Sequence, residues 1–278
     1  MSPHATTLDQ LNRLGFTDTM IDSFFRPFFG GITFDTELET SSRISNFVFR
    51  MFAEGDAALP ADGMDAMVHQ LVDRLPIGSL ELGRSVMSIE NGRVTISNGE
   101  VREARSIVLA TEEPTAARLL GREPEIRWRT TTCVYYAADR APYSRPLLYL
   151  AGRERGPVNH LAVPSNVAPE YAPTGQSLIC ANVVGEVSSP EMIEDDVRAQ
   201  LRGWFGQEVD LWRHLRTYAI PYALPTQNVD RMNVVAKSPK LSENLFRCGD
   251  YLDSSSIHGA LNSGLAAAAA VPGGVSNE

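Results

Sequence analysis

Long apolar runs, basic clusters and paired cysteines are all missing from this chain. Its three cysteines, Cys133, Cys180 and Cys248, stand far apart along 278 residues. That spacing supplies neither a disulfide framework nor a zinc site, and it fits a reducing cytoplasm. No uninterrupted apolar stretch reaches the roughly 18 residues that cross a bilayer. The first residues, Met1 to Thr7, lack a positive segment followed by an apolar core, so a soluble protein with no transmembrane segment is expected. The formal charge of -9, with no basic run, excludes general nucleic-acid binding. His69, His160 and His214 have no metal-ligand spacing, and no metal centre is expected. Also absent is any Gly-x-Gly-x-x-Gly, the turn that sets a phosphate-bearing ligand against a helix start. Gly30-Gly31 and Gly152 with Gly156 lack its spacing.

What is present is the composition of a folded protein of one large or two smaller domains, 43% hydrophobic and 21% charged. Helices are expected at 7–14 and 18–26, with Gly15 as a stop and Thr17 as an N-cap. Ser41 or Ser42 caps a third, whose face is Ile44, Phe47, Val48 and Met51. A fourth begins near Gly63 and aligns Met64, Met67, Val68, Leu71, Val72 and Leu75. Alternation then takes over, predicting strands at 80–89, 93–97 and 101–110 with turns at Asn91-Gly92 and Asn98-Gly99, a small sheet followed by a buried strand from Ser106 to Ala110 that leads to Thr111. Further strands are expected at 131–137, 146–151, 160–164 and 177–184, and Ser189-Pro190 opens a helix through Trp204. The mixture predicts an α+β or α/β fold. Phe24, Phe25, Phe28 and Phe29 around Arg26-Pro27 read either as core or as a surface patch for lipophilic material.

Chemistry concentrates near the end of the chain. Phe246-Arg247-Cys248-Gly249-Asp250 reads as a strand that stops at a Gly-Asp corner, followed by Ser256 to Gly264 and five alanines, a helix of small residues. Gly249 lets a ligand approach the backbone, and Asp250 offers a carboxylate to hydroxyl groups. Gly259 and Ala260 are expected to leave unpaired N–H groups and the positive end of a helix dipole facing outward. An ordinary strand-ending turn is the alternative for Gly-Asp alone.

This corner resembles the C-terminal flavin motif of the amine oxidase, phytoene desaturase and protoporphyrinogen oxidase superfamily, matched here by Gly249, Asp250, Gly259, Ala260, Ser263, Gly264, Ala266 and Ala267. Arg26 to Gly31 with Leu38 to Ser42 looks like the opening of that superfamily's substrate domain, and Pro60-Ala61-Asp62-Gly63-Met64 like the element that starts its next helix. Similarity extends to Arg84-Ser85-Val86 and to Val108-Leu109-Ala110-Thr111, spanning about residues 17–271 in all. The resemblance implies FAD as cofactor, met by Val86, Ala110, Thr111, Gly249, Asp250, Ile257, His258, Gly259, Ala260 and Ser263. It also implies a substrate facing Phe29, Tyr218 and Tyr222, the two tyrosines being read otherwise as strand-edge core. His258 stands where relatives often carry Glu and faces either flavin or solvent. Arg26 either binds an anionic substrate group or pairs with Asp22.

The implied fold is a partial FAD/NAD(P)-binding, Rossmann-like part plus a mixed helix and sheet substrate domain. Residues 1–78 form the helical part of the substrate domain, 79–120 the FAD-domain strands, 121–217 the substrate-domain sheet and helix, and 218–278 the C-terminal FAD-binding segment. The implied activity is hydride abstraction from a C–N or C–C bond of a small or lipophilic organic molecule, a step the flavin performs without a protein nucleophile. The missing glycine-rich turn implies that the chain begins after the first dinucleotide-binding unit. That unit is then expected to come from a partner chain or to have been lost by truncation, and a partner, a second copy or a rearranged core is expected to cover Val108 to Ala110 and the helix from Gly259 to Val271. A flavin-free binding protein or a non-functional remnant of the family is the alternative.

Overall fold

A computed structural model describes residues 5–90, 92–154, 156–187, 189, 192–229 and 238–273. In chain order come α1 (Thr7–Arg13), α2 (Asp18–Met20), α3 (Arg26–Thr33), α4 (Ser42–Glu54) and α5 (Asp65–Val72). Then follow β1 (Val86–Glu90), β2 (Arg93–Ile96), β3 (Val101–Glu103), β4 (Ile107–Leu109) and α6 (Glu113–Leu119). The next group is β5 (Trp128–Ala138), β6 (Leu148–Leu150), β7 (Val158–Ala162), α7 (Pro164–Val167), β8 (Ser177–Val184) and α8 (Ile193–Phe205). Last are β9 (Arg213–Pro225), β10 (Leu245–Arg247) and α9 (Ile257–Ala270). They divide into two units, one of Met1–Arg74, Arg129–Ala223 and Asn228–Met232, the other of Leu75–Trp128, Leu224–Gln227 and Asn233–Glu278.

The first unit is organised by a five-stranded sheet in the order β6-β7-β8-β5-β9. β5 and β8 run antiparallel with Cys133 opposite Asn182 and Tyr135 opposite Cys180. Strand alternation therefore puts Val134, Tyr136, Ile179 and Ala181 on one face, where α8 covers them with Ile193, Val197 and Leu201. Burying each such aliphatic side chain contributes about 1.5–3 kcal/mol. That packing, rather than helix propensity, holds a helix of this length in place. Arg198 anchors the turn beyond α8 by donating to the carbonyls of Val209 and Trp212, with its guanidinium 5.1 Å from the Tyr136 ring centre. On the opposite face α3 lies close to β7: a Cβ on Gly31 would stand 2.7 Å from His160 Nδ1. Asn159 Nδ2 donates to the Pro27 carbonyl at 2.8 Å. Burial in this contact lowers the pKa of His160 to about 4.

The phenylalanines of α3 and its flanks form a separate core with Leu11, Ile21 and Leu38. The helix expected to end at Arg26 continues to Thr33, passing through a π-helical turn at Ile21–Phe25. Pro27, which has no N–H to donate, falls directly after that turn, where the regular i→i−4 ladder is already interrupted. Arg26 pairs with Asp22 at 3.0 Å and also donates to the Thr36 carbonyl, so local pairing accounts for its charge. Beneath this cluster the carboxylate of Asp35, fully buried, accepts the Thr40 N–H and hydroxyl, each at 2.7 Å. Its other oxygen faces Arg129 at 3.1 Å without the alignment of a hydrogen bond, an ionic contact.

Sequence and structure diverge where a turn interrupts a pattern. The strand expected from Leu80 starts at Val86, because Gly83 at φ +69° turns the chain. The strand expected over 101–110 breaks into β3 and β4: Ala104 bonds back to the Gly92 carbonyl, and Ile107 leaves to pair elsewhere. β7 ends by Pro164, which opens α7 instead of closing a strand. The helix expected at Ser189-Pro190 begins at Ile193, and Pro190, like Asn91 of the expected turn, lies outside the described residues. α5 has the expected periodicity but buries none of its residues among the described ones, leaving Met64, Met67, Val68, Leu71 and Leu75 exposed.

Removing Arg129 strands the Asp35 carboxylate in the interior without its cation. Arg129→Ala is expected to lower unfolding free energy by about 3–5 kcal/mol, whereas Glu39→Ala, an exposed partner at 3.8 Å, should change it by less than about 1 kcal/mol. Chemical denaturation of the two variants checks the contrast.

Candidate functional site

In the second unit, β1, β2 and β3 form an antiparallel sheet, and β4 pairs in parallel with β10. Val108 lies opposite Phe246 and Leu109 opposite Arg247. The Cys248 N–H extends the ladder to the Leu109 carbonyl at 2.8 Å. Both strands thus deliver their following loops, Ala110-Thr111 and Cys248-Gly249-Asp250, to the same edge. In open α/β sheets this carboxyl-terminal edge is where ligands bind. Val86, at the start of β1, packs half-buried against the small core of Leu109, Ala116 and Leu119 below that edge.

The Gly-Asp corner is tied directly to α9. Gly249 donates its N–H to Ser263 Oγ at 2.8 Å, and that hydroxyl donates to the Ala260 carbonyl at 2.8 Å. Ser263 is buried, so its role here is to fasten the corner rather than to face a ligand. A Cβ on Gly249 would lie 2.3 Å from the Tyr251 ring, and one on Gly259 1.9 Å from the Ser254 carbonyl. Both glycines are therefore required by the chain's own packing. α9 buries Gly259, Ser263 and Ala267, a stripe of small residues four apart. Its other sides are exposed, including Leu261 at 45% and Leu265 at 61%. Val108 and Ala110 are exposed as well, which agrees with the open apolar surface read from the sequence.

The hydrogen bonds at the α9 start correct one expectation. Gly259 donates to the capping hydroxyl of Ser256 at 3.0 Å and Ala260 to the Ser256 carbonyl at 2.9 Å, so neither N–H is free. Among the described residues, the donors left without a partner in this first turn are those of Ile257 and His258. Both side chains are exposed, and the positive end of a 14-residue helix lies at these two groups. Ser256 as N-cap was open to sequence reasoning, since it stands three residues before Gly259. In the sequence the helix of small residues opens at Ser256, with no cap assigned to that residue.

A second group was not legible. Glu113, 5% exposed, accepts the Glu125 N–H through one oxygen at 2.8 Å, while its other oxygen and Arg247 Nε have no hydrogen-bond partner among the described residues. They line a cavity of about 20 Å³ with Tyr251, room for about one water. Burial pushes the Tyr251 phenol up to about 12. Thr111 only donates to the Glu112 carbonyl at 3.2 Å.

The sequence-derived substrate residues lie in the first unit. Tyr218 and Tyr222 sit on β9, at the sheet edge, and are exposed rather than strand-edge core. Phe29 is 1% exposed and packs on Phe25, Phe28 and Phe49, which makes it core and removes it from any open surface of this unit.

Residues 1–272 match the profile of the flavin containing amine oxidoreductase family, and the chain belongs to that family. Its fold is similar to that of reduced UDP-galactopyranose mutase, with a TM-score of 0.63 and 15% identity over 90% of this chain and 63% of that one. It is also similar to that of an oxidoreductase from Methanosarcina mazei, with a TM-score of 0.65 and 15% identity over 95% of this chain and 68% of that one. The mixed helices and sheets are therefore those of the flavin-binding oxidoreductase fold, and the chain spans less than two thirds of the mutase chain it matches. None of the curated proteins matches it by sequence.

Two glycines of α9 should respond in opposite directions. Gly259→Ala forces a methyl against the Ser254 carbonyl and is expected to cost about 1–3 kcal/mol. Gly264→Ala, with nothing within 4 Å of the added carbon, should stabilise by about 0.5–1 kcal/mol. Thermal melts followed by circular dichroism distinguish the signs.

Proposed function

We propose that the protein is an FAD-linked oxidoreductase that abstracts a hydride from a C–N or C–C bond of a small or lipophilic organic substrate. The observation that carries this reading is the pair of free N–H groups at Ile257 and His258, presented by a helix fastened to the carboxyl ends of two parallel strands. Family membership supplies the cofactor class. In this reading the two N–H groups and the helix dipole face the electron-rich part of the cofactor. Asp250 receives hydroxyl groups, and the Val86 and Ala110-Thr111 backbone borders the remainder. Gly249, Gly259, Ala260 and Ser263 act one step back, by fixing the corner. The chain's own groups would bind and orient FAD, which would supply the hydride acceptor.

In this reading the second unit serves as the cofactor part and the first as the substrate part, with Tyr218 and Tyr222 of the first unit as aromatic contacts for the substrate. In this reading a partner chain or a second copy supplies the glycine-rich turn that this sequence lacks and covers Val108, Leu261 and Leu265, whose exposure calls for a cover. A second reading, a flavin-free binding protein descended from this family, is favoured by one observation. Gly249, Gly259 and Ser263 are needed for internal packing whether or not a cofactor binds.

Titration with FAD separates the two. Saturable binding with quenching of flavin fluorescence is expected, and a folded protein that never binds would sink the first reading. Ile257→Pro removes one free N–H at the first helical position, where proline is tolerated. It should weaken FAD binding about tenfold while leaving the melting temperature unchanged.

A further inference from the structure

The cavity between α6 and β10 in the second unit plays no part in the flavin reading. α6 turns one face toward it, with Glu113, Ala116, Ala117 and Leu120 at helical spacing, and Arg247 and Tyr251 line it from β10 and the corner beyond. Strand register sets this up. Arg247 stands opposite Leu109 in the β4–β10 ladder, so both side chains leave the pair on the face that α6 covers with Ala116 and Leu119. Glu113 is only 5% exposed. One of its oxygens accepts the Glu125 N–H at 2.8 Å, while the other oxygen and Arg247 Nε are buried with no hydrogen-bond partner among the described residues. Nor does either residue form an ion pair among them. Buried groups of this kind are costly to leave unmet. Here an acceptor and a donor of opposite charge border one cavity of about 20 Å³.

We propose that this cavity binds a single water molecule, which accepts from Arg247 Nε, donates to the free oxygen of Glu113, and so locks the Gly-Asp corner in place. The donor set selects the ligand. A cation is repelled by the guanidinium and an anion by the carboxylate, and an apolar guest leaves both groups unmet. Water donates and accepts at once, and the volume admits one such molecule and nothing larger. Two hydrogen bonds through one water span about 5 Å, which suits a pair too far apart to bond directly.

The place of this bridge gives it a role. The last rung of the β4–β10 ladder is the bond from the Cys248 N–H to the Leu109 carbonyl. Glu113 follows Leu109 by one short loop, and Arg247 directly precedes Cys248. The water therefore adds a rung between the two segments that lead to the ligand-binding edge. Tyr251 lines the cavity and also sets its ring against Gly249, where a Cβ would lie 2.3 Å away. Glu113 and Arg247 are thus positioning residues, which act on Gly249 through the water and the Tyr251 ring. Their bearing on cofactor binding rests on the flavin reading, whereas the water site does not.

Nuclear magnetic resonance of the full chain, labelled with ¹⁵N-arginine and free of FAD, tests the site. The Arg247 Nε proton, assigned by its loss in Arg247→Lys, should show a rotating-frame cross-peak to water of sign opposite to the diagonal, the mark of a bound molecule. Glu113→Gln, which keeps a polar partner, should retain that peak, and Glu113→Leu should abolish it. Hydrogen exchange at the Gly249 amide should be at least tenfold faster in Glu113→Leu and within twofold of the parent in Glu113→Gln, with β8 amides of the first unit unchanged in both. No cross-peak in the parent protein, a peak of the same sign as the diagonal, or Gly249 exchange indifferent to Glu113→Leu would overturn the proposal. Because FAD is absent throughout, a protein that never binds it would sink the flavin reading and leave this test intact.

Discussion

The second unit depends on a lack of space. The Ser254 carbonyl occupies the volume that any side chain at position 259 would need, and this brings the start of α9 against the loop that leaves the Gly-Asp corner. With the helix there, Ser263 reaches the Gly249 N–H and the corner acquires a fixed shape. The same fixation decides which first-turn donors remain open. Ser256 takes the N–H of Gly259 and, through its carbonyl, that of Ala260, leaving the pair at Ile257 and His258. Two open donors at the positive end of a helix thus emerge from packing alone.

The first unit divides its chemistry by sheet face. One face is dry and aliphatic and is sealed by α8. The other holds half-buried His160 under α3 and, toward β9, thiols and tyrosines that remain partly open. Alternation along β5 produces this split, since Val134 and Tyr136 are interior while Cys133 and Tyr135 point the other way.

Much of this was legible in the sequence, for reasons specific to each element. β8 reads correctly because alternation has a local cause, and the terminal corner reads correctly because a Gly-Asp followed by small residues at fixed spacing constrains the backbone closely. A separate buried strand at Ser106 to Ala110 was legible and stands as β4, although within β4 burial is complete at Leu109 alone; what was not legible was its partner β10, more than a hundred residues later. The assignment of Gly259 and Ala260 as open donors failed by two positions, because Ser256 caps the helix and takes both N–H groups. Phe29 looked available for a ligand and is enclosed instead, since aromatic composition alone says nothing about which rings face inward. The Glu113 and Arg247 cavity joins residues from distant segments, so no local pattern announces it.

The stripe of Gly259, Ser263 and Ala267 has a mechanical consequence. Small residues four apart repeat nearly the same contour every 6 Å or so along the axis, and such a contour offers little resistance to sliding by one step. Large knobs would lock the helix axially, and this face has none. A shift of one repeat would bring Ala267 or Gly259 to the corner and leave the Gly249 N–H with no acceptor. The hydroxyl of Ser263 therefore acts as the index mark that sets the axial position of α9, and with it the place where the helix begins.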